Sequence, residues 1–184
     1  VARDAPSGFD AWFLQTMLAL RSEALTQVVL FLTDFGGRTV MVPLSVLVIV
    51  AVAVKRRRTA VFMTCAIAGS AIVNETAKML FGRARPTIVE AVMAARGLSF
   101  PSGHSQASMA FALTMILALR REGVRHPSVW LMLLFPVIVG WTRTYLGVHY
   151  PSDVLAGWML GAACVLTVHY LIKPSDPNEL EAAT

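Results

Sequence analysis

Three short clusters in this 184-residue chain hold the residue types that can do chemistry on a phosphate group. The first is Lys78 followed by Arg85-Pro86. The second is Pro101-Ser102-Gly103-His104. The third is Thr142-Arg143 with His149 and Asp153. Arginine offers a planar fork that matches phosphate oxygens, and lysine adds a point charge. Lys78 and Arg85, seven residues apart, share a helical face if the helix continues that far, and Pro86, which disfavours helix at Arg85, is expected to end it there. Ser102 suits a helix N-cap, Gly103 lets backbone approach closely, and the free N–H groups of a helix start bind phosphate. His104, beside them, can donate a proton to a leaving oxygen. Pro151 suits a first helical turn, which sets His149 just before that helix and Asp153 just inside it. A carboxylate there can hold one imidazole nitrogen and leave the other free to attack. Each cluster alone also has a plain reading: snorkelling cations, a capped helix, a carboxylate on a helix dipole.

Each cluster stands at the edge of a long apolar stretch, where charge is costly and usually functional. Apolar residues make up 56% of the chain, mean hydropathy is +0.63, and 15% of residues are charged. Soluble domains carry about 25%. Five apolar segments run over 39–54, 59–80, 103–119, 127–142 and 154–172, each near the roughly 17–25 residues of a spanning helix. None has a regular polar face, which argues against a soluble bundle. The expected fold is all-α: a polytopic membrane helical bundle of about five transmembrane helices, forming one domain over 1–184. Residues 9–33 mix apolar and charged positions and are expected to form an amphipathic helix lying at the interface, ended by Gly36-Gly37. Residues 1–8 and 174–184 are expected to be flexible ends. A start at Val1 suggests a piece of a longer chain, whose missing part could hold another membrane helix.

The formal charge of +5 favours anionic lipid headgroups as partners and, without a basic stripe interleaved with aromatics, not nucleic acid. Cys65 and Cys164 lie inside apolar segments and read as small hydrophobes. Lys55-Arg56-Arg57-Arg58, the link with Arg120, Arg121 and Arg125, and Lys173 fall on one side of a five-span topology. By the positive-inside rule that side is cytoplasmic. All three phosphate-type clusters fall on the other. Arg83 reads as a loop or headgroup cation, and Glu75 as a partner for Lys78. The loop from Thr87 to Phe100 is expected to cover the site, with Val89, Val92, Met93 and Leu98 either touching a lipid chain or packing on the N-terminal helix. His126 and His169 match no cluster and read as structural.

In order and spacing the clusters resemble the pattern of the phosphatidic acid phosphatase type 2 superfamily: Lys-x6-Arg-Pro, Pro-Ser-Gly-His and Ser-Arg-x5-His-x3-Asp. One position departs, Thr142 where serine is usual, and it keeps the hydroxyl. The resemblance covers roughly 9–172 and implies a membrane lipid phosphatase with a core of six helices, the first absent here. It implies His149 as nucleophile through a phosphohistidine, Asp153 as its orienting partner and His104 as acid, then base. Lys78, Arg85, Ser102, Gly103 and Arg143 would hold the phosphate. No cofactor or metal is implied, and the chain has no carboxylate cluster suited to magnesium. The substrate would be a lipid phosphate or diphosphate such as undecaprenyl diphosphate, phosphatidylglycerophosphate or phosphatidic acid. The location implied is a bacterial inner membrane with the site on the extracytoplasmic side. With a neutral His149 and a protonated His104 required at the first step, a bell-shaped pH profile is expected. A lipid phosphotransferase or a silent lipid-binding module are the alternatives. A vanadium haloperoxidase fits least, because those members are soluble.

Overall fold

The computed structural model describes residues 6–172, and regular structure among them is helical throughout. The helices are α1 (Gly8–Ala19), α2 (Glu23–Asp34), α3 (Arg38–Ala53), α4 (Arg57–Phe81), α5 (Gly103–Arg121), α6 (Leu134–Tyr145) and α7 (Pro151–Leu171). A 3₁₀ segment, Pro127–Leu133, leads into α6. The expected flexible ends lie mostly outside the described residues.

Helix α5 is the hub, packing most closely on α7 and also on α4, α6 and α3. Because it is enclosed by protein, it can carry Ser105, Gln106, Ser108 and Thr114 fully buried. Between helices in lipid the hydrophobic effect adds little, so close packing and polar contacts carry association. Both are present here. A Cβ on Gly157 would come within 2.7 Å of the Ser102 carbonyl oxygen, and one on Gly161 within 2.8 Å of the Gln106 carbonyl oxygen. Two glycines one turn apart thus let α7 lie directly on the α5 backbone. On the other side Asn74 of α4 donates to Gln106 Oε1 at 2.7 Å, and Gln106 Nε2 donates to the Ser70 carbonyl at 2.8 Å. Such bonds are worth roughly 0.6–2 kcal/mol each in a membrane helix pair.

By length and composition α4 and α7 can each cross a membrane, and α2 with α3, bent by 41° at their junction, can form a third, broken span. The other two apolar segments are helical as well, in α5 and in the 3₁₀–α6 segment, but less apolar because protein covers much of them.

The N-terminal segment differs from expectation: it is two helices, not one. Ser22 starts α2 by accepting from the Leu25 N–H, and Arg21 leaves the helical path to bond the Tyr145 and Glu90 carbonyls. Helix α1 presents Phe9 and Trp12 outward and buries Asp10, Leu14 and Met17. The helix carrying Lys78 also stops earlier than expected. Gly82, at φ +61°, caps α4 in a left-handed conformation that favours glycine, so Arg85 lies in a loop beyond the helix.

The basic links meet at one end. Arg56 pairs with Glu122 at 2.7 Å, Thr59 bonds the same carboxylate, and Arg121 reaches His169 and the Ile172 carbonyl. His169 stacks edge-on against Phe62, and His126 caps the 3₁₀ segment by accepting from the Ser128 N–H. At the opposite end the starts of α5 and α7 lie side by side, with the Ser102 N–H donating to the Asp153 carbonyl at 3.0 Å.

Candidate active site

That backbone bond ties the second cluster to the third. Ser102 caps α5 as expected, its Oγ accepting from the Ser105 N–H at 3.5 Å and from the Ser105 hydroxyl at 3.0 Å. Lys78 belongs here too. Its Nζ would stand 3.5 Å from a Cβ on Gly103, so the ammonium lies over the first residue of α5. A Cβ here would also make a tight 3.3 Å contact with the Asn74 side chain. His104 leans on the Gly36-Gly37 turn, whose added Cβ atoms would lie 3.3 and 3.6 Å from its ring. The two glycines therefore end α2 and also form a floor for this histidine. His104 lies within electrostatic reach of Arg143, His149, Lys78 and Arg85.

His149 sits in the loop between α6 and α7 and is 2% exposed. Arg85 Nη1 lies 3.2 Å from its Nε2. A guanidinium only donates, so Nε2 must carry the lone pair, and in the neutral ring the proton is on Nδ1. Nδ1 faces Ser99 Oγ at 3.4 Å and Asp153 Oδ2 at 3.6 Å. Asp153 Oδ2 in turn accepts from the Ser99 hydroxyl and from the Tyr150 N–H at 2.9 Å. Burial pushes the His149 imidazole down to about 4. The Asp153 bond works against that shift, while the charges of Arg143 and Arg85 add to it. The ring is thus neutral at pH 7, with its free lone pair directed at Arg85. Burial also lowers the Arg85 guanidinium from its ordinary value, opposed by the charge of Asp153. Three of its other hydrogens hold the Arg96, Gly97 and Val148 carbonyls, which fixes its plane.

Arg143 is almost completely buried and makes no ion pair among the described residues. Its Nη1 donates to Thr33 Oγ1 at 2.7 Å, and its Nε has no partner there. Thr142 Oγ1 bonds the same Thr33 hydroxyl at 3.0 Å, so the unusual threonine serves to seat Arg143. The arrangement is a neutral, oriented imidazole facing Arg85 and Arg143, with His104, Lys78 and the start of α5 beside it. Such a group can attack a phosphoryl centre whose negative charge the cations stabilise.

All eight expected site residues converge at this end of the bundle. Two neighbouring readings are refined. Glu75 forms its ion pair with Arg38, while its charge still acts on Lys78. Arg83 stands in the loop after α4, as one of its two readings had it, and there bridges Asp10 and Asp153. Ser99, Thr33, Asp10 and Arg83 were not expected at the site. Ser99 stands two residues before Pro101, but nothing local marks the other three. The covering loop packs inward in part. Val89 is buried with Leu14 and Tyr150, and Val92 and Met93 pack beside Met17, Val29 and Tyr145. Val92 and Met93 also line a cavity of about 380 Å³ with Arg85, Pro86, Gly147 and Val148.

A helical bundle with helices able to cross a membrane and this candidate phosphate site at one end fits one class, the membrane phosphatases. The model of the PAP2 superfamily matches residues 59–176, and the chain belongs to that superfamily. Its curated relatives include an undecaprenyl-diphosphatase of Sulfolobus acidocaldarius, 25% identical over 84% of this chain and 74% of that protein. Phosphatidylglycerophosphatase B of Bacillus subtilis is 26% identical over 94% of this chain and 86% of its own length. Among solved structures, the transmembrane PAP2 type phosphatidylglycerolphosphate phosphatase of Bacillus subtilis superimposes with a TM-score of 0.77. It is 25% identical, over 88% of this chain and 83% of that one. The protein is an integral membrane protein of the PAP2 lipid phosphatase type.

Proposed function

We propose that this protein hydrolyses a lipid phosphomonoester or diphosphate through a phosphohistidine on His149, without a metal ion. One observation carries the reading: Arg85 donates to His149 Nε2 while Asp153 and Ser99 face Nδ1. The nitrogen that must attack already points at a phosphate-binding cation. The incoming phosphate takes over the Arg85 hydrogen and frees the Nε2 lone pair. Nε2 then bonds to phosphorus as the phosphorus–oxygen bond to the lipid breaks, and the leaving oxygen takes a proton from His104, which holds that proton once the negative charge of the bound phosphate offsets Lys78, Arg85 and Arg143. Asp153 offsets the positive charge that develops on the His149 ring. Water next attacks phosphorus, giving its proton to His104, and the bond to Nε2 breaks to release phosphate. Lys78, Arg85, Arg143 and the N–H groups at the start of α5 hold the equatorial oxygens throughout. Preorganised charge of this kind is usually the largest catalytic term.

The relatives support a lipid as the leaving group, with undecaprenyl diphosphate, phosphatidylglycerophosphate and phosphatidic acid as the candidates. The partly apolar cavity beside Arg85 has room for the first atoms of a lipid chain. The basic links gathered at the far end favour an extracytoplasmic site in a bacterial inner membrane. The test is phosphate release from a panel of detergent-solubilised lipid phosphates in EDTA, comparing wild type with His149→Ala. Release that survives EDTA and is lost in the variant supports the reading. Release that survives in His149→Ala, or that EDTA abolishes, refutes it.

A further inference from the structure

Asp10 is a carboxylate buried on α1, a helix outside the three motif clusters, and is 1% exposed. It accepts from the Ser152 N–H at 3.0 Å, from the Ser152 hydroxyl at 2.7 Å and from Arg83 Nη2 at 3.0 Å. Burial pushes this carboxyl up. The bonds from Ser152 and Arg83, with the arginine's charge, outweigh burial and hold it below its ordinary range. Arg83 Nη1 reaches the other way, to Ser152 Oγ and to Asp153 Oδ1, both at 2.7 Å. The guanidinium lies 4.2 Å over the Tyr150 ring, which fixes its plane. The two carboxylate oxygens of Asp153 are thereby divided. Oδ1 belongs to Arg83, and Oδ2 to Ser99, the Tyr150 N–H and the His149 side. A carboxylate held at one oxygen only could rotate and turn Oδ2 away from Nδ1.

We propose that Arg83, anchored by Asp10 and Ser152, is a positioning residue that fixes the Asp153 carboxylate so that Oδ2 orients His149. Helix α1 is thus a working part of the site, clamped to the start of α7 through the Asp10–Arg83–Asp153 relay. The proposal rests on the phosphohistidine reading above. The charged and titratable groups facing the His149–Asp153 pair are Arg83, Arg85, Arg143 and His104.

The full chain in detergent serves as the test, with Arg83→Gln, Arg83→Lys, Asp10→Asn and the Asp10→Asn/Arg83→Gln double variant. One readout is phosphate release. The other is ¹⁵N NMR titration of His149, tractable because the chain has four histidines. Removing the Arg83 charge leaves Asp153 bearing more fully on His149, so in Arg83→Gln its titration rises by roughly one pH unit. Over the same change kcat falls on the order of 10- to 100-fold, with KM within about threefold. Arg83→Lys restores the titration but only part of kcat, because one ammonium cannot fork to both carboxylates. Asp10→Asn lowers kcat less than Arg83→Gln and adds nothing to it in the double variant. Wild-type titration and kcat in Arg83→Gln, or losses that multiply in the double variant, would overturn the proposal. If Arg83→Gln does not fold, Asp10→Asn decides, and wild-type kcat there is the refuting result. A wild type that releases no phosphate refutes the phosphatase reading instead, and the NMR arm still reports on the Arg83 relay.

Discussion

Gly157→Ala tests directly whether the two halves of the site depend on how closely α7 lies on α5. The added Cβ would stand 2.7 Å from the Ser102 carbonyl oxygen, 3.1 Å from Ser105 Cβ and 3.2 Å from the Gln106 nitrogen. Two of these are backbone atoms in the first turn of α5 and its cap, which no side-chain rotation relieves. Reaching ordinary contact at 3.4 Å requires α7 to withdraw by about 0.7 Å. Overpacking of this kind costs about 1–3 kcal/mol, and replacing a helical glycine by alanine returns about 1 kcal/mol. The net loss is therefore about 0–2 kcal/mol. Activity should suffer more than stability. Gly157 lies one turn beyond Asp153, whose carbonyl holds the Ser102 N–H, so the displacement separates His149 and Asp153 from the start of α5 proposed to bind phosphate. A misplacement near 1 Å can cost up to about 100-fold. Gly69→Ala is the control. It lies in α4 with nothing within 4 Å of the new Cβ, so it should gain about 0.5–1 kcal/mol and keep full activity. Thermal unfolding in detergent and phosphate release from a lipid phosphate measure both quantities. If Gly157→Ala melts and turns over like the wild type, the α5–α7 contact does not set the site.

Three further outcomes follow from the same geometry. His149 is held near 4 when folded against about 6.5 unfolded, so the unfolded chain binds its proton first as pH falls. Stability present above pH 6.5 should fall by about 3 kcal/mol between pH 6.5 and 4, a slope that His149→Gln flattens in denaturation curves at several pH values. The acid limb of kcat/KM should likewise lie near pH 4, and a limb near 6.5 in the pH–rate series contradicts the buried neutral ring. Thr33→Val keeps shape but strips Arg143 Nη1 of its oxygen acceptor and leaves it only the weak Met93 sulfur. It should cost about 1–3 kcal/mol in thermal stability and raise KM several-fold. Thr142→Ser keeps the hydroxyl that reaches Thr33, so kcat and KM should stay within about twofold of wild type. A large loss would mean that the threonine methyl is needed.

The sequence alone supplied the candidate phosphate-handling residues and set them together at one end of the helical bundle. Lys78, Arg85, Ser102, Gly103, His104, Arg143, His149 and Asp153 were legible because their types and spacing are local. Apolar run length marked where the helices lie, since a spanning helix needs a length set by the bilayer. The cap at Ser102 and the helix start at Pro151 followed from local rules for the same reason. Tertiary structure decided the rest. Asp10 looked like the polar face of an interfacial helix and Arg83 like a loop or headgroup cation. Polarity in sequence says that a group needs a partner, not which distant residue supplies it. Glu75 took Arg38 and not Lys78 because the neighbouring helix offered a closer cation. Gly36-Gly37 read as a turn, and only the fold shows His104 resting on it. Ser105, Gln106 and Thr114 lie in an apolar stretch yet are buried, because α5 is surrounded by helices that satisfy or enclose them. Which groups orient Asp153, seat Arg143 and set α7 against α5 are long-range contacts. They exist only once packing brings the ends of the helices together.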